Sequence, residues 1–543
     1  KPFAAMLAKL AERGIGHGAI NPTRLFHGGG GAIGYVLGEC VTCPSGYLQS
    51  VVFETIPRGM CQPIGKGPAV LSDDMYAFGV TLLALLLGRD PGKGRSAEEL
   101  IETKIDKGSY SVLVRAGRVP NSMIEPLRGL INDDPAQRWT IDDLTQWIGG
   151  RRLTPKQSGA VMRAPRAFKF GGKEYWNSRS LAIAVAGNPR ETVRVIQSED
   201  LQRWVQRSLS SKAMIENLSD AVSAIGKGGA DYEDRTICRI SMVLDPEAPM
   251  RYRDLRIMPQ AIGMALSDAF NHERDVQVFA AMLMQQMPVF WLGAQSNSRS
   301  QTLSGVRQFD QFRGFLTRSY PGYGIERCLY EANLFQPCSS TMLRRFLVLS
   351  VTDLLKALET VSADKDRPRD PLDRHVAAFI VTRDRCVEDS LLRLLDINSA
   401  PVDKCLARLN ILASLQSRCD AGPLPGLSVW VAGLMDPAIE RFHRRKLREQ
   451  MRKKLNDSAR SGDLRSINQI VDDMSIVRED ERSFRKAKKE FAAIAFEMRH
   501  LRRDLDRRDT LGHDTGRHFA LIMSIGIAFV AMVGIVLKLV VVG

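Results

Sequence analysis

"SDDMYAFGVTLLALLLGRDP" (Ser72–Pro91) is the stretch whose reading decides the fold. Leu82, Leu83, Leu85, Leu86 and Leu87 leave no polar stripe, so the pattern predicts a helix buried on all sides. Its uncharged run is too short to cross a bilayer, which makes it the centre of a folded core. At 543 residues the chain is too long for one ordinary core, and two to four units are expected. Hydrophobic residues at 44% and charged residues at 25% are globular values and exclude wholesale disorder.

Two further stretches give the helix a context. Upstream stands "FAAMLAKLAERGIGHGAINPTRLF" (Phe3–Phe26), and downstream "DDPAQRWTIDDL" (Asp133–Leu144). In this order and spacing, residues 1–150 resemble the C-terminal lobe of the bacterial eukaryotic-like Ser/Thr protein kinases. His17, Pro22, Leu25 and Phe26 fit the catalytic-loop pattern H-R-D-L-K-P-E-N-I-L. Asp74 matches the aspartate that, in the family, ties the central helix to the backbone of that loop. Arg138 matches the arginine of D-P-x-x-R-P-T, with Trp139 in place of proline.

The resemblance implies a kinase fold without kinase chemistry. Phosphoryl transfer needs a carboxylate to orient the hydroxyl, oxygen ligands for Mg²⁺ and a cation on the phosphates. Here Gly18 stands at the arginine position, Ala19 at the catalytic aspartate, Asn21 at the lysine and Arg24 at the metal-binding asparagine. Arginine has no acceptor atom and cannot ligate a metal. "YVLGECV" (Tyr35–Val41) occupies the D-F-G region, where Gly38 and Glu39 are the degenerate metal-loop positions and Glu39 is about one residue out of register. No aspartate lies between Ile20 and Ser72, and "FETIPRG" (Phe53–Gly59) replaces A-P-E. Glu54 or another acid is left as the partner of Arg138. Loss of the base and both metal ligands together removes the electrostatic stabilisation of the transition state, so the resemblance implies a pseudokinase. The family's N-terminal lobe would precede Lys1, and the start looks cut from a longer chain. ATP and Mg²⁺ would be cofactors only with that lobe intact and the domain active.

Other motifs carry less. "GGGAIGYV" (Gly29–Val36) has the string of a phosphate loop but follows the catalytic loop, and reads as a glycine-rich turn between short strands. "CVTC" (Cys40–Cys43) has zinc-ligand spacing without a second pair; Cys61 and His27 would have to complete it. "NHERD" (Asn271–Asp275) lacks the second histidine of H-E-x-x-H, and "DKDRPRDPLD" (Asp364–Asp373) lacks the glycine and terminal glutamate of a calcium loop. Nine scattered cysteines suggest thiols in a reducing compartment.

A basic linker is expected over 151–166. A hairpin about Gly171-Gly172 in "FKFGGKEYWNS" (Phe168–Ser178) opens a helical domain over 167–320, with Asn177 or Ser178 capping the helix that follows. A second helical region is expected over 321–435, with Met342–Glu359 its most regular helix. Over 436–517 a basic helix leads into a stalk. Val477, Phe484, Phe491, Met498 and Leu505 recur every seven residues, and Ala487, Ile494 and Leu501 fall three places after the middle three. That is an a/d seam of roughly four heptads, with Glu497 and Arg502 at g and e. One amphipathic helix packed on its own domain would give the same pattern.

The last segment, "FALIMSIGIAFVAMVGIVL" (Phe519–Leu537), extends as a transmembrane helix over 519–541. Arg499, Arg502, Arg503, Arg507, Arg508 and Arg517 precede it and only Lys538 follows, so the body of the chain is expected in the cytoplasm, and the family resemblance implies a bacterial inner membrane. Ala520, Ser524 and Ala528 form a small-residue stripe. The net charge of +15 favours anionic partners. The basic run Arg441–Lys454 suits anionic lipid headgroups or a solvated face, while no reader motif points to nucleic acid.

The expected fold is therefore mainly α: a kinase-like C-lobe, a mostly helical region, a coiled-coil stalk and one transmembrane helix. The function expected is a membrane-anchored signalling scaffold or protein-interaction module with protein partners, with the heptads of the stalk allowing a homodimer. An active Ser/Thr kinase with displaced carboxylates and a structural envelope protein are the alternatives.

Overall fold

A computed structural model of the chain describes residues 2–27, 35–38, 40–115, 117–154, 163–209, 211–222, 230–295 and 299–542. The chain is mainly helical, with three two-stranded antiparallel sheets among the described residues. It divides into two compact units, Lys1–Asn398 and Ser399–Gly543.

The first unit is built around the helix Leu71–Leu87. One side of it packs against Phe3, Leu7, Ile20, Leu130, Trp139 and Leu144, through Met75 and Phe78. The other side, through Tyr76, Val80 and Leu83, packs against Val52, Phe53, Leu100, Leu113 and Leu127. Gly79 lets the helix Asn121–Leu130 approach, since a Cβ there would lie 2.7 Å from that of Leu130. Burial holds from Asp74 to Ala84, with Leu82 half-buried, but not to the end. Leu85 is 58% exposed and Leu86 40%, because the last turn runs past the neighbouring helices before Gly88 closes it in a left-handed cap.

Within the unit Lys1–Asn398, residues before and after the linker are joined by direct contacts. After the strands Phe168–Phe170 and Lys173–Tyr175, Asn177 caps the helix Ser178–Gly187 by accepting the Ser180 N–H at 2.7 Å. The Asn177 amide also donates to Asp106 in the helix Ala97–Lys107. A second hairpin, Met250–Tyr252 with Leu255–Ile257, pairs with the loop at 62–65: Gln62 N–H donates to Arg256 O and Met258 N–H to Gly65 O, at 3.0 and 2.9 Å. Ile56, Met60, Ile105 and Ala248 close an apolar cluster over the same junction. Backbone pairing and apolar burial together make one unit of what the linker separates in sequence.

In the unit that begins at Ser399, Pro401–Arg418 packs on Leu464–Val471. One expected helix changes. Met342–Glu359 is not one helix. A short 3₁₀ turn, Thr341–Leu343, is followed by non-helical chain, and the helix Val351–Val361 starts at a Ser350/Asp353 capping box.

In the second unit the basic run forms the helix Arg445–Ser461, which turns Met451, Leu455 and Ala459 inward. A 33-residue helix follows, Met474–Asp506, about 50 Å long at 1.5 Å per residue. Its foot is fastened by Asp480, whose carboxylate accepts the His443 N–H at 2.6 Å and the Arg444 Nε–H at 2.8 Å. The Phe484 ring stacks on His443 at 3.8 Å. Beyond that point the seam residues Ala487, Phe491, Ile494, Met498, Leu501 and Leu505 are exposed, and Val477 below it is half-buried. The chain ends in the helix Arg508–Val542; its stretch to Val541 is long and apolar enough to cross a membrane and none of it is buried.

Candidate functional site

The loop from His17 to Arg24 enters from the helix Pro2–Glu12 and is held by the central helix. Asp74, one turn into that helix and 1% exposed, points both carboxylate oxygens at the loop backbone. Oδ2 accepts the His17 N–H at 2.6 Å and Oδ1 the Gly18 N–H at 2.8 Å. Burial pushes the Asp74 carboxyl above the ordinary aspartate range, and these two N–H groups pull against it.

Several other polar groups of the loop also find partners within the fold. His17 Nε2 donates to Gly38 O at 2.8 Å, while Nδ1 accepts the Ala19 N–H at 3.2 Å, which joins the loop to the strand Tyr35–Leu37. Asn21 Oδ1 accepts from the Thr23 N–H and hydroxyl; its amide donates to Gln49, and Gln49 donates in turn to Ile20 O at 2.7 Å. Gly18 has φ +71, and a Cβ on it would lie 2.0 Å from the Ser45 hydroxyl. A longer side chain has no room there. Ala19 offers only a methyl group, and Arg24 closes a short 3₁₀ turn at the rim. The hollow bounded by His17, Ala19, Asn21, Arg24 and Gln49 measures about 20 Å³. That is space for one water. Glu39 lies outside the described residues, as does most of the glycine-rich turn before it.

The nearby carboxylates are committed elsewhere. Glu54 meets Lys66, not Arg138: Lys66 Nζ donates to Glu54 Oε1 at 2.8 Å and to Gly46 O at 2.6 Å, all buried. Burial pushes the Glu54 carboxyl up, and Lys66 opposes the shift. Arg138 is buried and donates to Asn132 O, Asp133 O and the Ser72 carbonyl and hydroxyl. The acid facing it is Asp73, 3.6 Å away, which Arg58 shares at the same distance. Lys104 completes the set. Its ammonium donates to the carbonyls of Val51, Val52 and Glu54, and burial pulls its pKa down to about 8.

Sequence reasoning singled out Asp74, Arg138 and Glu54 but not Lys66, Gln49 or Lys104. Lysines 66 and 104 had no signal, because neither belongs to a motif and each is buried through acceptors far away in sequence. Among the described residues no group of three His, Cys, Asp or Glu side chains is placed to hold a metal, and no disulfide joins the cysteines. Compared with protein-family models, curated proteins and solved structures, the chain matches none.

Proposed function

We propose that this chain is a membrane-anchored scaffold whose N-terminal part is a degenerate, kinase-like C-lobe. The observation that carries the reading is the inward commitment of the loop: Asp74 binds backbone, and no carboxylate of His17–Arg24 faces outward, since none is there. The residues present do not fit Mg²⁺, which needs oxygen ligands where this loop presents methyl, hydrogen and guanidinium. The frame that packs the lobe is kept, and the groups that would react are gone.

On this reading the helix Arg508–Val542 is the anchor, and the arginines before it hold the body on the cytoplasmic face of a bacterial inner membrane. Protein partners then dock on the helical body. The test uses the full chain in detergent and in its own membranes. Incubation with radiolabelled ATP and Mg²⁺ is expected to give no phosphate transfer above a heat-denatured control. Alkaline extraction is expected to leave the chain in the membrane. A membrane-impermeant maleimide should reach the exposed Cys386 only after the cytoplasmic face is opened. Sustained Mg²⁺-dependent turnover would overturn the scaffold reading in favour of a kinase with displaced ligands. Labelling of Cys386 from the outside would overturn the orientation.

A further inference from the structure

We propose that the stalk is a parallel homodimer interface, in which residues 487–505 of two copies pair in register. The occupant follows from the change along one face of the Met474–Asp506 helix. At its foot that face is partly covered by the chain itself: Asp480 is buried, and Phe484 stacks on His443 while staying 42% exposed. One heptad further on the same face bears Phe491, Ile494, Met498, Leu501 and Leu505, exposed by 74, 58, 51, 59 and 73%. A helix that only served its own domain would stop presenting apolar residues where the domain ends. This one continues the seven-residue spacing for three more turns of the repeat, which is the pattern a supercoiled partner requires.

A second copy meets the remaining constraints. An identical helix carries the same a and d residues in the same register, so every exposed knob finds a hole. The membrane helix begins at Arg508, directly above the seam, so two copies in one bilayer present their stalks in the same sense. In that sense Glu497 at g faces Arg502 at e of the other copy, and by symmetry the pair occurs twice. Asp504 at g would face Asp509 at e, a repulsion that sets the upper limit of pairing at Leu505. The seam is short for an isolated coiled coil, but anchoring in one membrane raises the effective concentration of the second stalk. The parallel sense rests on the anchor reading; the pairing itself does not.

Cross-linking of the full chain in membranes tests it. Ile494→Cys, at d, is expected to form a disulfide-linked dimer under mild oxidation, whereas Lys489→Cys, on the outer face at f, is expected to stay monomeric. Light scattering in mild detergent should give the mass of two chains, falling to one for Ile494→Asp with Leu501→Asp. Those residues touch no folded core, so unchanged helicity and an unchanged melting profile of the body separate lost pairing from lost folding. Glu497→Arg alone should weaken cross-linking through Ile494→Cys, and Glu497→Arg with Arg502→Glu should restore it. A monomer mass for the parent chain, equal cross-linking at 489 and 494, or no rescue by the charge swap would overturn the interface. Mixed cross-linking of positions 487 and 505 would overturn the parallel sense while leaving alkaline extraction unaffected.

Discussion

Replacing Asp74 probes the contact on which the whole loop depends. Its two oxygens each accept one backbone N–H, from His17 at 2.6 Å and from Gly18 at 2.8 Å, in a site 1% exposed. A hydrogen bond to a charged group contributes about 1.5–3 kcal/mol net. Asp74→Ala removes both and leaves two buried donors unpaired, so the loss works out at about 3–6 kcal/mol. Asp74→Asn keeps one acceptor oxygen but turns an NH₂ toward the other N–H. It also relieves the burial of a charge, so its loss should sit at the lower end, about 1.5–3 kcal/mol. Domains have about 5–15 kcal/mol in hand, so the alanine variant is partly unfolded and the asparagine variant is folded but weakened. Urea titration of the detergent-solubilised chain, followed by tryptophan fluorescence, measures both; Trp139 lies buried in the cluster beside the central helix. Hydrogen exchange at the amides of His17 and Gly18 should accelerate in the same order. An alanine variant within 0.5 kcal/mol of the parent, or an asparagine variant weaker than the alanine one, would refute the geometry argued here, the first figure being about the scatter of neutral surface substitutions.

Gly18→Ala combines a strained φ with a Cβ 2.0 Å from the Ser45 hydroxyl, and should cost about 1–3 kcal/mol. Adding Ser45→Gly removes the clash but not the backbone strain, so the urea midpoint should recover only in part; an unchanged midpoint in the single variant contradicts this. The second expectation concerns acid. Burial holds the His375 imidazole below its ordinary range, with Asp373 and Glu326 pulling up and Arg374 pushing down. The neutral ring accepts the Tyr330 hydroxyl at Nδ1, at 3.0 Å, and Tyr330 accepts the Ser339 N–H. A depressed folded pKa means stability present above the ordinary histidine range, about 6.5, and lost as pH falls through the folded value. The melting temperature of the parent should therefore drop more between neutral and acid pH than that of His375→Gln, and parallel slopes would remove His375 as the cause.

What the sequence made legible is what local pattern controls. The continuous leucines marked the Leu71–Leu87 helix, Gly171-Gly172 marked the turn of the Phe168–Tyr175 hairpin, and both glycines do adopt positive φ. Asn177 was readable as a cap, and the final apolar helix by length alone. The Met250–Ile257 hairpin escaped notice because its first strand is buried on both faces and shows no alternation. Met342–Glu359 misled through its apolar spacing. Leu347 is in fact 73% exposed in non-helical chain, and Ser350-x-x-Asp353 was the sign of where the helix starts. Glu54 was noticed but its partner was not, because the choice between Lys66 and Arg138 depends on which loop brings a cation to a buried carboxylate, and nothing local sets that.

Recognition draws on groups that folding has left unsatisfied, and the chain distributes those unevenly. In the loop His17–Arg24 the histidine ring, the asparagine amide and the N–H groups of His17, Gly18, Ala19, Thr23 and Arg24 have partners within the fold. A ligand there would have to break existing hydrogen bonds to form its own, with a net gain near zero. In the stalk the balance is reversed. Phe491 and Leu505 lie about three-quarters exposed, and covering them breaks nothing. Apolar surface in that state gains about 25 cal/mol per Å² on burial, against an entropy cost already reduced because the helix is formed. Apolar association therefore has exposed surface to draw on at the stalk and little at the loop, an asymmetry that follows from the burial and partners of named residues and does not require the kinase resemblance to hold.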